Sequence, residues 1–467
     1  MYKKILFTLF LIGLGNTFLL AQSTADSNYI KIQSIHVIGN KKTKSFIIER
    51  ELPFAAGDSL LKKDLQQIFK QAAIQVYNSN LFIEVNLDSI VTNEDQLAVT
   101  VKVKERWYIF PSPQFSLIDR SFNEWYTTYK ADFKRVVYGF DFSHNNFSGR
   151  RDNLNITVLS GYARNISFGY SNPYSNAKLT EGYSIFASYT ENKEVGYKTN
   201  FNERILAYKN GLFVRKSFNA GGSYSRRKSV FKRDAFSIDF NYIKVNDSIV
   251  TSKYNPNYFN AEKSSQIFLD FSYGLSYANT NKNAYPTKGL IYNFSITKRG
   301  FGFSGGVNSL VLNGTFSKYF THKHNFYSAV KLSGNLKLPF EQAYINKRAI
   351  GFGNLNLRGL DLYIIDGVAA AVANYTFSKK LFSFKIPVPF HIKVLPYLPF
   401  TFYAKAYTDI GFSYLPNKYI SRLNNTLLRT AGFGLDILSI YDIVVKVNYS
   451  FNQLGEKGLI LQGGGDF

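Results

Sequence analysis

From Trp107 onward the chain runs in segments of about ten residues that alternate apolar and polar positions, separated by turns rich in Gly, Asn, Asp and Ser. Phe236, Ile238, Phe240 and Tyr242 interleave with Ser237, Asp239 and Asn241. Leu290, Tyr292, Phe294 and Ile296 interleave with Ile291, Asn293, Ser295 and Thr297. Ile443, Val445, Val447, Tyr449 and Phe451 do so with Val444, Lys446, Asn448, Ser450 and Asn452. Successive side chains of a strand point to opposite faces. Each segment therefore has one face too apolar for water and one too polar for a packed sandwich core. A lipid-facing exterior and a wet lumen satisfy both. The pattern predicts about sixteen strands, an even number as single-chain outer-membrane barrels require. One hairpin is gained or lost in that count between Glu191 and Asp234. Five of the strands, at about 368–378, 400–412, 428–439, 442–452 and 458–467, follow a glycine-rich stretch from Gly351 to Gly367.

Residues 29–105 follow another rhythm. Ile30, Ile32, Ile35 and Val37 predict a strand closed by the Gly39-Asn40 turn. A short helix from Lys44 to Leu52 is stopped by Pro53. Asp58 or Ser59 is placed to cap a second helix, in which Leu65, Ile68, Phe69, Ala72 and Val76 recur at helical spacing. Two alternating strands follow, around Ile83, Val85 and Leu87 and around Val99, Val101 and Val103. Ahead of this unit, Met1–Ala21 reads as a secretory signal peptide. Lys3-Lys4 form its charged start, Ile5–Leu20 its apolar stretch, and a cut precedes Gln22. No later run reaches the roughly 18 apolar residues of a membrane helix, so a membrane span here is made by a closed barrel. The expected fold class is membrane all-β: signal peptide 1–21, one small α/β domain at 29–105, and a 16-stranded transmembrane β-barrel over 106–467.

Composition narrows the chemistry. Aromatic residues make up 17% of the chain, with 34 Tyr and 43 Phe, which supplies the girdles of a membrane barrel. There is no cysteine, so thiol catalysis, cysteine zinc sites and disulfides are excluded. The formal charge of +24 falls to +22 without Lys3 and Lys4. The basic residues are scattered through strands and turns, with no basic helix and no nucleic-acid motif. Attraction to anionic headgroups or lipopolysaccharide phosphates, or a plain solvated excess, accounts for them.

The residues that stand out are Arg358 in GFGNLNLRGLDLYIIDG and Asp409 in FTFYAKAYTDIGF. An arginine facing lipid costs about 2–4 kcal/mol at the midplane of a barrel. It becomes cheap if its loop folds into the lumen and meets a carboxylate on the wall. Alternation puts Tyr403, Lys405, Tyr407 and Asp409 on the polar face of their strand. Arg358 is expected to pair with Asp409; a surface-loop arginine without a fixed partner is the alternative.

These residues resemble the signature of the BamA/TamA-type barrels of the bacterial surface antigen superfamily. There, an Arg-Gly-aromatic motif lies at the tip of the sixth extracellular loop and an Asp-x-Gly motif on a later strand. Here they read Arg358-Gly359-Leu360 and Asp409-Ile410-Gly411, with Leu360 replacing the aromatic residue. The strand-helix-helix-strand-strand order of residues 29–105 resembles one POTRA domain. Pro286-Thr287-Lys288-Gly289 matches the family's Pro-x-x-Gly, whereas Asn279-Thr280-Asn281 stands where Asp-x-Arg is usual.

The resemblance implies assembly, insertion or translocation of other proteins at the outer membrane of a Gram-negative bacterium, with the POTRA-like unit in the periplasm. Its implied partners are unfolded outer-membrane or exported client proteins, outer-membrane lipid and lipopolysaccharide, and accessory lipoproteins. Nucleic acid is not among them. A client strand would add to the edge at Leu81–Ile90, or that edge simply stays solvated. Gly463, Gly464 and Gly465 before the terminal Phe467 would weaken pairing between first and last strands, or belong to a tightly closed barrel. A two-partner secretion pore and a passive porin are the rival functions. No catalytic residues and no cofactor site are read. His322 and His324 sit in a turn without a carboxylate, and His144, Asn145 and Ser148 lack an oxyanion hole.

Overall fold

The computed structural model describes residues 28–93, 95–117, 130–208, 211–259, 263–300, 307–351, 355–361, 363–388, 397–416, 421–440 and 443–463. Met1–Ala21, Gly464, Gly465 and Phe467 lie outside the described residues.

The N-terminal unit consists of β1 (Tyr29–Ile38), α1 (Ser45–Glu49), β2 (Ser59–Leu61), α2 (Leu65–Tyr77), β3 (Phe82–Asn93) and β4 (Gln96–Glu105). Its sheet runs β2-β1-β4-β3, with β1 and β4 parallel and the other pairs antiparallel. Ile30 and Ile32 of β1 and Val99, Val101 and Val103 of β4 bury one sheet face against Ile47, Ile48, Ala72 and Val76 of the helices. One expectation is corrected. Ser59 does not cap the second helix but pairs with Lys31 as the start of β2. The helix begins at Leu65, after a 3₁₀ turn, while Asp58 accepts a hydrogen bond from the Ala55 N–H at 2.7 Å. Leu60 packs on the core, so extending the chain there adds a strand to the open edge of β1. The order leaves β3 at the opposite edge.

The rest of the chain comprises β5 (Ile109–Leu117), β6 (Val136–Asn145), β7 (Asn153–Gly161), β8 (Ala163–Asn172), β9 (Glu181–Asn192), β10 (Glu194–Asn200), β11 (Glu203–Tyr208) and β12 (Arg215–Arg227). These are followed by β13 (Lys232–Val245), β14 (Ser265–Thr280), β15 (Gly289–Arg299), β16 (Ser309–Thr321), β17 (Phe326–Leu338), β18 (Arg348–Ile350) and β19 (Ile365–Asp366). The last are β20 (Ala369–Pro387), β21 (Tyr397–Tyr414), β22 (Leu428–Leu438), β23 (Val444–Asn452) and β24 (Lys457–Gly463). Sixteen of them form one antiparallel wall from β5 to β24. The ambiguous span between Glu191 and Asp234 resolves itself. β10 and β11 pair only with each other, while β9 pairs directly with β12, Asn192 opposite Arg215, and closes the wall beneath them.

Alternation sets the two faces. On β21, Tyr403, Lys405, Tyr407 and Asp409 are buried inside, and Ile410, Phe412 and Tyr414 are exposed outside. At the end away from the N-terminal unit, the 339–368 loop folds inward. Its Ile350, Leu355, Leu357, Leu360 and Ile365 bury against Ala370, Val372, Leu423 and Leu428.

Candidate functional site

The inward loop reaches the wall through Arg358. Its backbone N–H donates to Asp409 Oδ2 at 3.1 Å and its Nε–H to the same oxygen at 2.8 Å. Its Nη2 donates to Asp409 Oδ1, which completes a forked, charge-assisted pair. Nη1 also donates to Thr376 Oγ1 at 2.9 Å and Nη2 to the Tyr375 carbonyl at 3.3 Å. The guanidinium lies 4.0 Å from the centre of the Tyr407 ring, within the range of a cation–π contact. Arg358 is 7% exposed and Asp409 0%. Two neighbouring strands, β20 and β21, thus converge on one cation carried by the loop.

The neighbouring residues explain why the loop fits. Gly359 has φ +91°, and a Cβ there would come within 2.9 Å of Ser450 Cβ on β23. Its carbonyl accepts from Asn452 Nδ2 at 2.9 Å. At Gly411 a side chain would collide with Leu357, so the glycine two residues after Asp409 clears the space the loop occupies. Leu360, in the place of an aromatic residue, is buried in the apolar cluster beside the pair. Farther along the loop, Asp366 accepts from Thr199 Oγ1 of β10 at 2.7 Å. Asn202, between β10 and β11, donates to the Ile364 carbonyl at 3.2 Å and to Asn424 Oδ1 at 2.8 Å. The hairpin that stands off the wall therefore straps the inward loop from above.

At the opposite end, the wall binds the N-terminal unit, and sequence reasoning missed this junction. Glu51, just after α1, accepts from Arg227 through both carboxylate oxygens, at 2.7 and 2.6 Å. It also accepts from the Tyr174 hydroxyl at 3.2 Å. Arg50 lies 3.7 Å from the Tyr174 ring centre, and Arg151 donates to the Tyr174 hydroxyl at 2.8 Å. Burial opposes the charge on Glu51, but the hydrogen bonds from Arg227 and the fields of Arg227, Arg151 and Arg50 outweigh it, holding the carboxyl below its ordinary 4.5. Burial pulls Arg50 down to about 10. Two more ties flank this cluster. Asn146 Nδ2 and the Tyr108 hydroxyl both meet Thr43 Oγ1 at 2.9 Å, and Asn78 Nδ2 donates to the Thr280 carbonyl at 3.0 Å. The available signal was slight: Glu51 precedes Leu52 in IIERELPF, but Glu49 and Arg50 stand beside it and read equally well as a solvated helix end.

The predicted seam residues are less fully placed. Gly463 pairs with Val445 in the ladder of β23 and β24; Gly464, Gly465 and Phe467 lie outside the described residues. Among the described residues no ladder joins β5 to β24, which stand at the two ends of the sheet order.

The family model described as the Omp85 superfamily domain matches residues 146–436. A POTRA model, described as a surface antigen variable number repeat, matches residues 30–106. Among solved structures, BamA from Haemophilus ducreyi lacking POTRA domains 1–3 is 16% identical at a TM-score of 0.51, over 93% of this chain and 84% of that one. CdiB from Escherichia coli is 15% identical at a TM-score of 0.57, over 93% of this chain and 75% of that one. At that identity the two likenesses show a shared fold. Proteins of this family are outer-membrane barrels with periplasmic POTRA units, and serve insertion or secretion of other proteins. By the match over most of its length, this chain belongs to the Omp85 superfamily.

Proposed function

We propose that the protein receives unfolded client polypeptides in the periplasm and passes them into or across the outer membrane. The unit at 29–105 is the receiving module and the barrel at 106–467 the passage. Clients add as a strand to the β3 edge, where backbone groups offer affinity with little demand on sequence. They then reach the region of β5 and β24, the ends of the wall. Arg358, Gly359, Asp409 and Gly411 hold the inward loop in one register while this happens. Gly463, with Gly464 and Gly465 next in the sequence, would weaken pairing at the seam, since glycine weakens strand pairing and packs poorly.

The observation that carries this reading is the buried Arg358–Asp409 pair, which fixes a long loop inside the lumen. A passive pore has no need of a loop pinned by a buried ion pair. Here the lumen holds that loop, and the turn between β14 and β15 sends in Tyr285, whose hydroxyl donates to Asp436 Oδ2 of β22 at 3.0 Å.

Depletion of the protein followed by outer-membrane proteomics tests the proposal. Broad loss of barrel proteins is the expected result for assembly. Loss of one exported protein would mean a dedicated secretion pore, and loss of solute uptake with an unchanged proteome would refute client handling.

A further inference from the structure

β20 and β21 are far longer than their neighbours on the side of the N-terminal unit. The ladder with β17 stops at Lys379, opposite Phe326, and the ladder with β22 stops at Thr401, opposite Leu438. β20 leaves β17 first, while β21 is still paired with β22; past Ser383 and Thr401, which face each other, the two strands continue alone, paired to Pro387 and Tyr397. At roughly 3.3 Å per residue this two-stranded ribbon projects about 13 Å past the last rung with β22, and β20 runs about 26 Å past its last rung with β17.

Its two faces differ sharply. Phe382 pairs with Phe402, Phe384 with Phe400 and Ile386 with Leu398, and all six share one face. The rings stack into a ridge, with centroids 4.8 Å apart for Phe382 and Phe402 and 5.6 Å for Phe384 and Phe400. The other face presents Ser383, Lys385 and Thr401, with the Lys385 ammonium 4.3 Å from the centre of the Tyr397 ring. Phe382, Phe384 and Ile386 are all exposed.

The direction of the apolar face identifies what covers it. β21 has no bulge, so Leu398, Phe400 and Phe402 lie on the face that carries Ile410, Phe412 and Tyr414 farther up, the lipid-facing exterior. The apolar exterior of this one strand therefore spans from Leu398 to Tyr414. At a tilt of about 45° that is well over the roughly 25 Å apolar band of an outer-membrane barrel. The register shift between Lys380 and Phe382 falls at the rim, where a bulge bends and twists a strand. A client or partner strand adding to the free backbone edge of β20 would leave the phenylalanine face uncovered.

We infer that this ribbon lies along the periplasmic leaflet of the outer membrane, its phenylalanine ridge in the acyl region and its Lys385 face toward the periplasm. It anchors one side of the barrel to that leaflet and continues the lipid contact of β20 and β21 beyond the wall.

The absence of cysteine makes the test direct. Single-cysteine variants of the full chain, Phe384→Cys, Ile386→Cys and Lys385→Cys, carry an environment-sensitive fluorophore in phosphatidylethanolamine/phosphatidylglycerol vesicles. Ile410→Cys is the lipid-facing reference, and a heat-dependent gel shift confirms folding. Labels at 384 and 386 should lose most of their emission to a lipid-borne nitroxide, as at 410, and little to aqueous iodide; the label at 385 should do the reverse. Equal iodide quenching at 384, 385 and 386 would overturn the inference by placing the ribbon in water. Protection of 384 and 386 from both quenchers would overturn it in favour of a protein partner.

Discussion

Two buried arginine–carboxylate pairs hold this molecule together at its opposite ends, and they are built differently. Arg358 and Asp409 join a loop to the wall, inside the lumen. Arg227 and Glu51 join the wall to the POTRA unit. Both are forked and both lie on tyrosine, Tyr407 in one case and Tyr174 in the other. At Asp409 the carboxylate also accepts from the backbone of its partner, so the pair sets the main-chain position of the loop tip. At Glu51 one carboxylate is approached by Arg50, Arg151 and Arg227. That junction carries an excess of positive charge, and its cohesion depends on one group keeping its proton off. The first arrangement is a fixed latch. The second is a joint that charge and pH can loosen.

The widest gap between the two appears on truncation. Arg358→Ala leaves Asp409 buried without its cation, a loss of about 3–5 kcal/mol for a buried pair broken on one side. The folded, unboiled gel form should convert at a clearly lower temperature. Glu51→Gln keeps the shape of the junction but removes its charge, a loss of about 1.5–3 kcal/mol for charged hydrogen bonds. Faster hydrogen exchange in α1, with the barrel unchanged, is the expected readout. If exchange rises equally throughout the barrel, the two ends are one cooperative unit and the contrast fails.

A pH series sharpens the same contrast. The folded Glu51 carboxyl titrates below its ordinary 4.5, so its contribution is present above that value and is lost only as pH falls through the depressed one. Spin-label distances between α1 and the wall should hold from neutral pH to about 4.5 and widen below it. Widening near pH 6 would assign the joint to another group.

A smaller effect is expected at Gly359. Gly359→Ala places a side chain at φ +91° beside Ser450, for about 1–3 kcal/mol of backbone strain. Smallest of all is Asp88→Asn in the exposed Lys102–Asp88 pair at 2.6 Å, under about 1 kcal/mol because solvent screens it.

The same contrast explains what could be read from the chain alone. The wall was legible because period-two alternation with lipid on one side admits few other structures, and Arg358 and Asp409 stood out as charges within it. Their contact in the structure follows from the inward fold of the loop that carries Arg358 and from the lumen face of β21 that carries Asp409. Glu51 and Arg227 were not legible as partners. They are 176 residues apart, in units whose local patterns are each self-sufficient. β2 was missed because three residues are too few to show a period, and the capping reading of Ser59 competed for the same stretch. β10 and β11 alternate as wall strands do; only the direct pairing of β9 with β12 sets them outside.

The central claim is that the Arg358–Asp409 pair fixes the tip of the inward loop in a protein that handles other proteins. The direct measurement is a charge exchange in the depletion strain, with gel conversion confirming that each variant folds. Arg358→Asp should abolish complementation, and adding Asp409→Arg should restore part of it. Full complementation by Arg358→Asp alone, or no recovery in a folded double variant, would contradict the account.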